Sequence, residues 1–246
     1  MRDGVFRIRG KDISRVEGLS DAVFGFAITL LVVSLEVPKT SAEVLQAMRG
    51  FFAFAFTFAI LFSVWRLQFT FFRRYGLEDN TTVSLTAVLL FVILFFIYPL
   101  KYVIGTLVER ILLHAGFPGM AHVEALSGSG IQLLLIAFGL GWTAVLGVFA
   151  LLYRHAYRQR EALELTPVEA LATQASMWRC QVSILPGVLG AVMNAIVYFK
   201  PSLQEPAGYV GLAALIPVVI FVRRRRKHYK MQLSVATTAP KNIVEA

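Results

Sequence analysis

A carboxylate at the mouth of an apolar stretch is the first chemistry this chain presents. Residues Arg15 to Pro38 read RVEGLSDAVFGFAITLLVVSLEVP, with Arg15, Ser20 and Asp21 in the opening turns and no charged residue from Ala22 to Leu35. As a helix, Leu19 to Val37 rises about 28 Å, close to the roughly 30 Å hydrocarbon core of a bilayer. An ionisable group at the end of such a span is unfavourable unless it faces water or a partner, so Asp21 is a functional candidate by position alone. Ser14, with Glu17 three residues on, forms a capping box that starts the helix in water. Pro38 stops it.

Four other constellations could carry chemistry. Glu109, His114, His122 and Glu124 share one connection and offer groups that bind metals or protons. Their spacing fits no ligand set, which leaves a solvated loop. Ser127-Gly128-Ser129-Gly130 offers the serine of an intramembrane protease without a base beside it, since His114, His122, His155 and His228 all lie outside the apolar segments. Gly208-Tyr209-Val210-Gly211 has the composition of a carbonyl filter, but a re-entrant filter needs a span on each side and only one apolar segment follows. Arg223 to Lys227 is an unbroken basic run, an anchor against anionic headgroups; a voltage sensor has its charges spaced along a span. Zinc-protease signatures are absent, and no nucleophile, base and oxyanion donor fall together, so an enzyme is the least favoured reading and no metal or cofactor site is read.

Hydropathy supplies the elements that must position Asp21. With 57% hydrophobic and 16% charged residues and a mean hydropathy of +0.67, the chain is too apolar for an ordinary soluble domain. Six apolar segments, 19–37, 50–72, 82–108, 131–152, 180–199 and 207–222, predict an all-α integral membrane subunit of six transmembrane helices. Its organisation is a cytoplasmic N-terminal segment (1–18), a six-span domain (19–222) and a basic cytoplasmic tail (223–246). The first twelve residues are polar and the first apolar run is long enough to stay, so no cleavable leader is read. The single cysteine, Cys180, excludes an internal disulfide.

The net charge of +9 is a matter of sidedness. Of 24 Lys and Arg residues, 19 fall on one side: five before residue 16, three at 66–74, four at 154–179 and seven from Arg223 onward. This positive-inside pattern puts both termini in the cytoplasm and predicts contact with anionic lipids. No motif supports a nucleic-acid reading.

Local signals refine the elements. Thr40 with Glu43 is a second capping box, ahead of the phenylalanine-rich second segment, whose rings read as lipid-facing and interhelical packing around an interfacial Trp65. Thr166-Pro167-Val168-Glu169 combines an N-cap, a first-turn proline and a capping-box glutamate, so a helix starts there and runs into the fifth segment. Pro186-Gly187 predicts a kink in it, and Asn194 a buried amide.

The pattern Arg15-x-x-x-Leu19-Ser20-Asp21, followed by Ala22-Val23-Phe24-Gly25-Phe26-Ala27-Ile28-Thr29-Leu30-Leu31-Val32-Val33, is similar to the signature of the transmembrane protein 175 family, in which Arg, three residues and Phe-Ser-Asp open the first span. The resemblance is specific over some 19 residues and is joined by Trp65 and the six-span count. It implies a potassium-permeable channel, some members also passing protons, built as a homotetramer whose first spans line the pore without a carbonyl filter. Carried onto this chain, it implies Phe26 at the constriction, with Leu30 and Val33 continuing the gate and Thr29 adding a hydroxyl. These four share one helical face. Arg15, Ser20, Asp21, Trp65 and Gln68 correspond to the motif network. Leu19 stands where the family has Phe, Phe26 where it has Ile or Leu, and Gln68 where a histidine usually follows the Trp. Gln68 can hydrogen-bond but takes no charge.

An apolar ring of this kind gates by dewetting and passes partly hydrated ions when widened, so low to moderate selectivity for potassium is expected. Two roles stay open for Asp21: attracting cations, or pairing with Arg15 or Ser20. The alternative function is a small transporter or accessory membrane subunit with a polar pocket around Asp21, Gln68 and Asn194.

Overall fold

The computed structural model describes residues 2–3, 5–33, 40–114 and 129–200; within the helices the side chains of 33, 42–49, 109–110, 112–114 and 129 are not included. The sixth apolar segment, 207–222, and the basic tail, 223–246, lie outside the described residues, as does the Gly208–Gly211 stretch. A two-stranded hairpin, β1 (Arg2–Asp3) and β2 (Phe6–Arg7), pairs antiparallel with Asp3 opposite Phe6. Five helices follow: α1 (Arg15–Val33), α2 (Ser41–Tyr75), α3 (Asn80–His114), α4 (Ser129–Arg158) and α5 (Pro167–Phe199). Apart from the hairpin, the described chain is all helical, and four of its helices are long and apolar enough to cross a membrane: α2 from Gly50, α3 to Val108, α4 from Gly130, and α5.

The helix ends follow local chemistry. Ser14 Oγ accepts the Glu17 N–H (3.1 Å) at the start of α1, satisfying an amide that has no partner within the helix. Tyr75 ends α2 because Gly76 takes a positive φ of 58° and donates its N–H to the Phe72 carbonyl (2.8 Å), a glycine C-terminal cap. Asp79 then caps α3, accepting the Thr81 N–H (3.2 Å) and the Thr82 hydroxyl (2.7 Å). At α5 the capping box is complete: Thr166 Oγ1 accepts the Glu169 N–H (3.3 Å) and Glu169 Oε2 accepts the Thr166 N–H (2.9 Å). As expected, α5 then runs without interruption into the fifth apolar segment.

Packing is strongest where side chains are smallest. The helix α5 is continuous through Pro186-Gly187, and this dipeptide serves a close crossing with α4. A Cβ placed on Gly139 would meet the Gly187 carbonyl oxygen at 2.6 Å, and one on Gly187 would meet the Gly139 carbonyl oxygen at 2.8 Å and the Thr143 hydroxyl at 2.6 Å. Small residues let membrane helices approach this closely. Trp142 Nε1 adds a hydrogen bond across the same interface to the Ser183 carbonyl (2.9 Å). In turn α3 packs on α4, and α1 lies against α2 and α3.

At the end of the bundle where α1 begins, Phe71, Tyr75 and Tyr153 are fully buried, with ring centroids of Phe71 at 5.0 Å from Tyr75 and 5.6 Å from Tyr153. Phe6 from β2 joins them at 5.9 Å from Tyr75, with the Arg74 guanidinium over its outer face at 4.5 Å. Thr173 donates its hydroxyl to the Glu169 carbonyl (2.8 Å), so Tyr75 must be the donor in its 2.8 Å bond to Thr173. Residues 5–14 thus lie as a strap across the ends of α2 and α5.

Replacing Gly139 with Val is expected to force the α4–α5 backbones apart and lower stability by about 1–3 kcal/mol. Gly147→Ala, which has open space around the new methyl, should leave stability level or raise it slightly. Thermal unfolding in detergent followed by tryptophan fluorescence measures both; an equal midpoint for Gly139→Val and wild type would refute the close crossing.

Candidate functional site

Along α1 two faces separate cleanly. Phe24 (2% exposed), Ala27 (0%) and Leu31 (2%) face α2 and α3, together with buried Glu17 and Ser20. These positions repeat at three and four residues, one stripe of a helix. On the opposite side Arg15, Gly18, Leu19, Asp21, Ala22, Gly25, Phe26, Thr29 and Val32 are exposed, Phe26 at 57%. Leu30 sits between the faces, and the side chain of Val33 lies outside the described residues. Thr29 donates its hydroxyl to the Gly25 carbonyl (3.0 Å), so its polar group is satisfied within α1.

Two parallel hydrogen bonds tie α1 to α2. Trp65 Nε1 donates to Asp21 Oδ1 (2.7 Å), and Gln68 Nε2 donates to Ser20 Oγ (2.9 Å) in a buried site. Ser20 donates its own hydroxyl to the Val16 carbonyl (2.6 Å). The spacing explains the pairing: Trp65 and Gln68 are three apart on α2 and share a face, while Ser20 and Asp21 are adjacent on α1 and straddle its boundary. Gln68 is 2% exposed, and its Oε1 has no partner among the described residues. Arg15 is exposed and also has none among them. Of the five motif residues, the structure therefore joins Ser20, Asp21, Trp65 and Gln68 and leaves Arg15 apart. Asp21 pairs with Trp65 rather than with Arg15 or Ser20. One turn earlier, burial pushes the Glu17 carboxyl above its usual value, opposed by a hydrogen bond from the Ser14 backbone and reinforced by Asp21 nearby.

Trp65 also belongs to a feature that spacing alone did not reveal. Phe51, Phe54, Phe58, Phe62, Trp65 and Phe69 follow one another at three or four residues, with centroid separations of 6.4, 6.2, 6.0, 5.2 and 5.5 Å. This ladder holds the indole whose N–H reaches Asp21, so the ring stack fixes the donor's direction.

Other candidates separate in space. Asn194 donates to the Gly190 carbonyl of its own helix (2.8 Å). It stands 27 residues from the start of α5, about 40 Å at 1.5 Å per residue, whereas Gln68 is seven residues from the end of α2. Since α2 ends and α5 begins at the same end of the bundle, Asn194 does not join Asp21 and Gln68 in one pocket. His155 bonds Asp79 (2.8 Å) and Gln159 (3.0 Å). Burial works against the Asp79 charge, but the Thr82 hydroxyl and His155 outweigh it and hold the carboxyl below its usual value. Glu109 and His114 belong to α3 by backbone alone, and His122, Glu124, Ser127 and Gly128 lie outside the described residues, while Ser129 and Gly130 open α4. Among the described residues no group of three or more His, Cys, Asp or Glu is placed to hold a metal.

Comparison with known proteins agrees on one family. The model of the endosomal/lysosomal potassium channel TMEM175 family matches residues 15–96, the stretch holding the whole α1–α2 network. A potassium channel of Marivirga tractuosa is 36% identical over 189 residues, covering 73% of this chain and 75% of that protein. The crystal structure of a variant of the potassium channel MtTMEM175, in complex with a nanobody–MBP fusion, superimposes with a TM-score of 0.78 at 30% identity over 92% of this chain and 98% of that one.

Trp65→Phe, which keeps a ring in the stack but removes the N–H donor and the pyrrole part of the indole, is expected to lower stability by about 1–2 kcal/mol, since an exposed hydrogen bond to a carboxylate is screened. A double-mutant cycle with Asp21→Asn measures the coupling; strictly additive losses would show that the contact contributes nothing.

Proposed function

We propose, from the premise that this chain belongs to the TMEM175 family of potassium channels, that four copies assemble around α1 to form a potassium-permeable pore of low to moderate selectivity. The observation that carries the reading is the two-faced character of α1: the face with Phe26 and Thr29 finds no cover among the described residues, while the opposite face is buried. A lipid-facing surface has no use for Asp21, Gly18, Ala22, Gly25 and Thr29 in one band, and the outward faces of other helices carry large rings instead, as Phe91 (73% exposed) and Phe95 (65%) do on α3. A shared axis gives that band a place.

On this reading Phe26 forms the constriction, Leu30 and Val33 extend it, and Thr29 lends a ring of hydroxyls. No backbone carbonyl faces the ion, because the α1 carbonyls are used within the helix; the barrier is the unfavourable dehydration of a cation in an apolar waist. Selectivity is modest since one hydroxyl ring replaces only part of a hydration shell. Potassium is the principal permeant, with other monovalent cations and protons open to test. Six spans, with 207–222 as the last, place both termini in the cytoplasm, and the basic side of the bundle meets anionic lipids. Asp21, at the basic end of α1 and tied to Trp65, serves the helix–helix contact and keeps its second carboxylate oxygen near the pore mouth.

Phe26→Ala is expected to raise basal potassium flux in reconstituted vesicles, because the smaller ring lowers the dewetting barrier. Unchanged flux in folded protein would exclude Phe26 as the gate. Planar-bilayer recordings in potassium and then sodium should give unitary current steps with a modest preference for potassium; a smooth carrier-like current would exclude a channel.

A further inference from the structure

The least expected polar cluster lies outside the α1–α2 network, under the N-terminal strap. Glu169 carries five donors on a side chain only 2% exposed: Oε1 accepts the Arg7 backbone N–H (2.7 Å) and Arg9 Nη1 (3.1 Å), and Oε2 accepts Arg9 Nη2 (2.9 Å), the Thr166 N–H (2.9 Å) and the Thr166 hydroxyl (3.2 Å). The remaining Arg9 donors reach carbonyls of the α4–α5 turn, Leu163 (2.8 Å) and Glu164 (3.2 Å), and Arg74 at the end of α2 (3.4 Å). A guanidinium so completely used is a bidentate clamp and not a surface charge.

The clamp is continuous with α1. The Arg9 and Gly10 N–H groups both donate to the Arg73 carbonyl (3.1 and 3.3 Å), and Arg73 Nη1 returns a bond to the Gly10 carbonyl (2.9 Å). Only residues 11–14 separate that anchor from Arg15, where α1 starts. Five Cα steps span at most about 17 Å, so a shift of Gly10 has only a short path to the foot of α1. A cleft of about 210 Å³ opens beside that foot, lined among others by Lys11, Asp12, Ser14, Glu17 and Glu78. The strap bonds therefore do what solid packing does elsewhere along α1.

We propose that Arg9 and Glu169 are positioning residues for conduction: through the strap they set the foot of α1 from the α4–α5 turn, so that loosening their contact changes how readily the pore conducts. The proposal rests on the reading of α1 as the pore-lining helix. Glu169 is set in the first turn of a helix of 33 residues, about 50 Å long and well beyond a bilayer's 30 Å, so it stands outside the spanning portion. Burial alone would raise its carboxyl, but the Arg9 guanidinium and the Arg7 and Thr166 N–H groups outweigh that and lower it to about 2. With the folded value depressed, the contact is fully present above the ordinary 4.5 and is lost only as pH falls towards 2. The strap is thus a standing mechanical link at physiological pH.

The test uses full-length protein in vesicles, comparing wild type, Glu169→Gln, Arg9→Lys and Phe26→Ala for potassium and sodium flux, with elution volume and melting temperature of each. Glu169→Gln is expected to change basal potassium flux about fivefold or more, the lower end of coupling between separate sites, at an unchanged potassium-to-sodium ratio. Arg9→Lys, which keeps the charge and loses the fork, should shift flux in the same direction by less, and serves if Glu169→Gln fails to fold. Wild-type flux in both folded strap variants, with Phe26→Ala raising flux, overturns the strap proposal and leaves the pore reading intact. An unchanged flux in folded Phe26→Ala removes the pore reading and this proposal with it.

Discussion

A polar side chain on an apolar helix must find a donor or acceptor within the protein, and for Ser20 and Asp21 that requirement is met where α1 meets α2. Ser20 and Asp21 are neighbours, yet one is buried and the other stands at the edge of the outer face. The side chains able to serve both must sit one turn apart on the partner helix, and Trp65 and Gln68 do. The two bonds fix the rotation of α1 about its axis: a turn of one residue, about 100°, would carry Ser20 out of reach of Gln68 and bury Gly25 or Phe26 in place of Phe24 and Ala27. Which residues of α1 are left for an assembly to use therefore follows from the hydrogen bonds on its other side.

The rest of the fold supports that boundary from behind. The indole of Trp65 is held by stacked phenyl rings on both sides, and α2 is held by an aromatic cluster at its end, Phe71 and Tyr75 against Tyr153 of α4 and Phe6 of the strap. Farther away, α4 and α5 approach to backbone distance through Gly139 and Gly187. Specific polar contacts concentrate at the end where α1 begins; along the membrane portion the helices rely on shape. This division suits a bilayer, where apolar burial gives little preference for helix over lipid and packing detail must decide.

Much of this was legible in the sequence because its signals are local. Thr166 to Glu169 spells a capping box in four consecutive residues, and the structure contains it bond for bond. Four of the six apolar runs coincide with the four described helices long and apolar enough to cross a membrane, although each of those helices runs on past its run: α2 starts at Ser41, before the run at 50, α3 ends at His114, beyond 108, α4 reaches Arg158, beyond 152, and α5 starts at Pro167, before 180. The family resemblance singled out Phe26, Thr29 and Leu30, and the structure leaves Phe26 and Thr29 exposed with Leu30 between the two faces of α1. What remained hidden depends on partners far apart in the chain. Arg9 and Glu169 are 160 residues apart, and nothing in either neighbourhood names the other; Arg9 reads as one more cytoplasmic positive charge and Glu169 as a helix cap. Asp21 posed the same difficulty, since its nearest candidates in sequence, Arg15 and Ser20, are not its partner, and an indole 44 residues on is. Asn194 shows the converse, a polar residue that looks available and spends its amide on its own helix.

The distribution of restraints along α1 bears on how such a helix moves. Its first two turns are held by the strap, the Ser14 cap and the two bonds to α2, whereas from Ala22 to Val32 the described contacts to other helices are apolar. A rod fixed at one end and held by shape alone beyond it responds to a small rotation at its foot with a displacement that grows along its length. Phe26 is 11 residues from Arg15, about 16 Å, so a tilt of around 5° moves it by roughly 1.4 Å. Water's own radius is about that size, and wetting of an apolar waist is steep in its radius. A proposed gate midway along α1, with its controls at the foot, therefore needs no large rearrangement of the bundle.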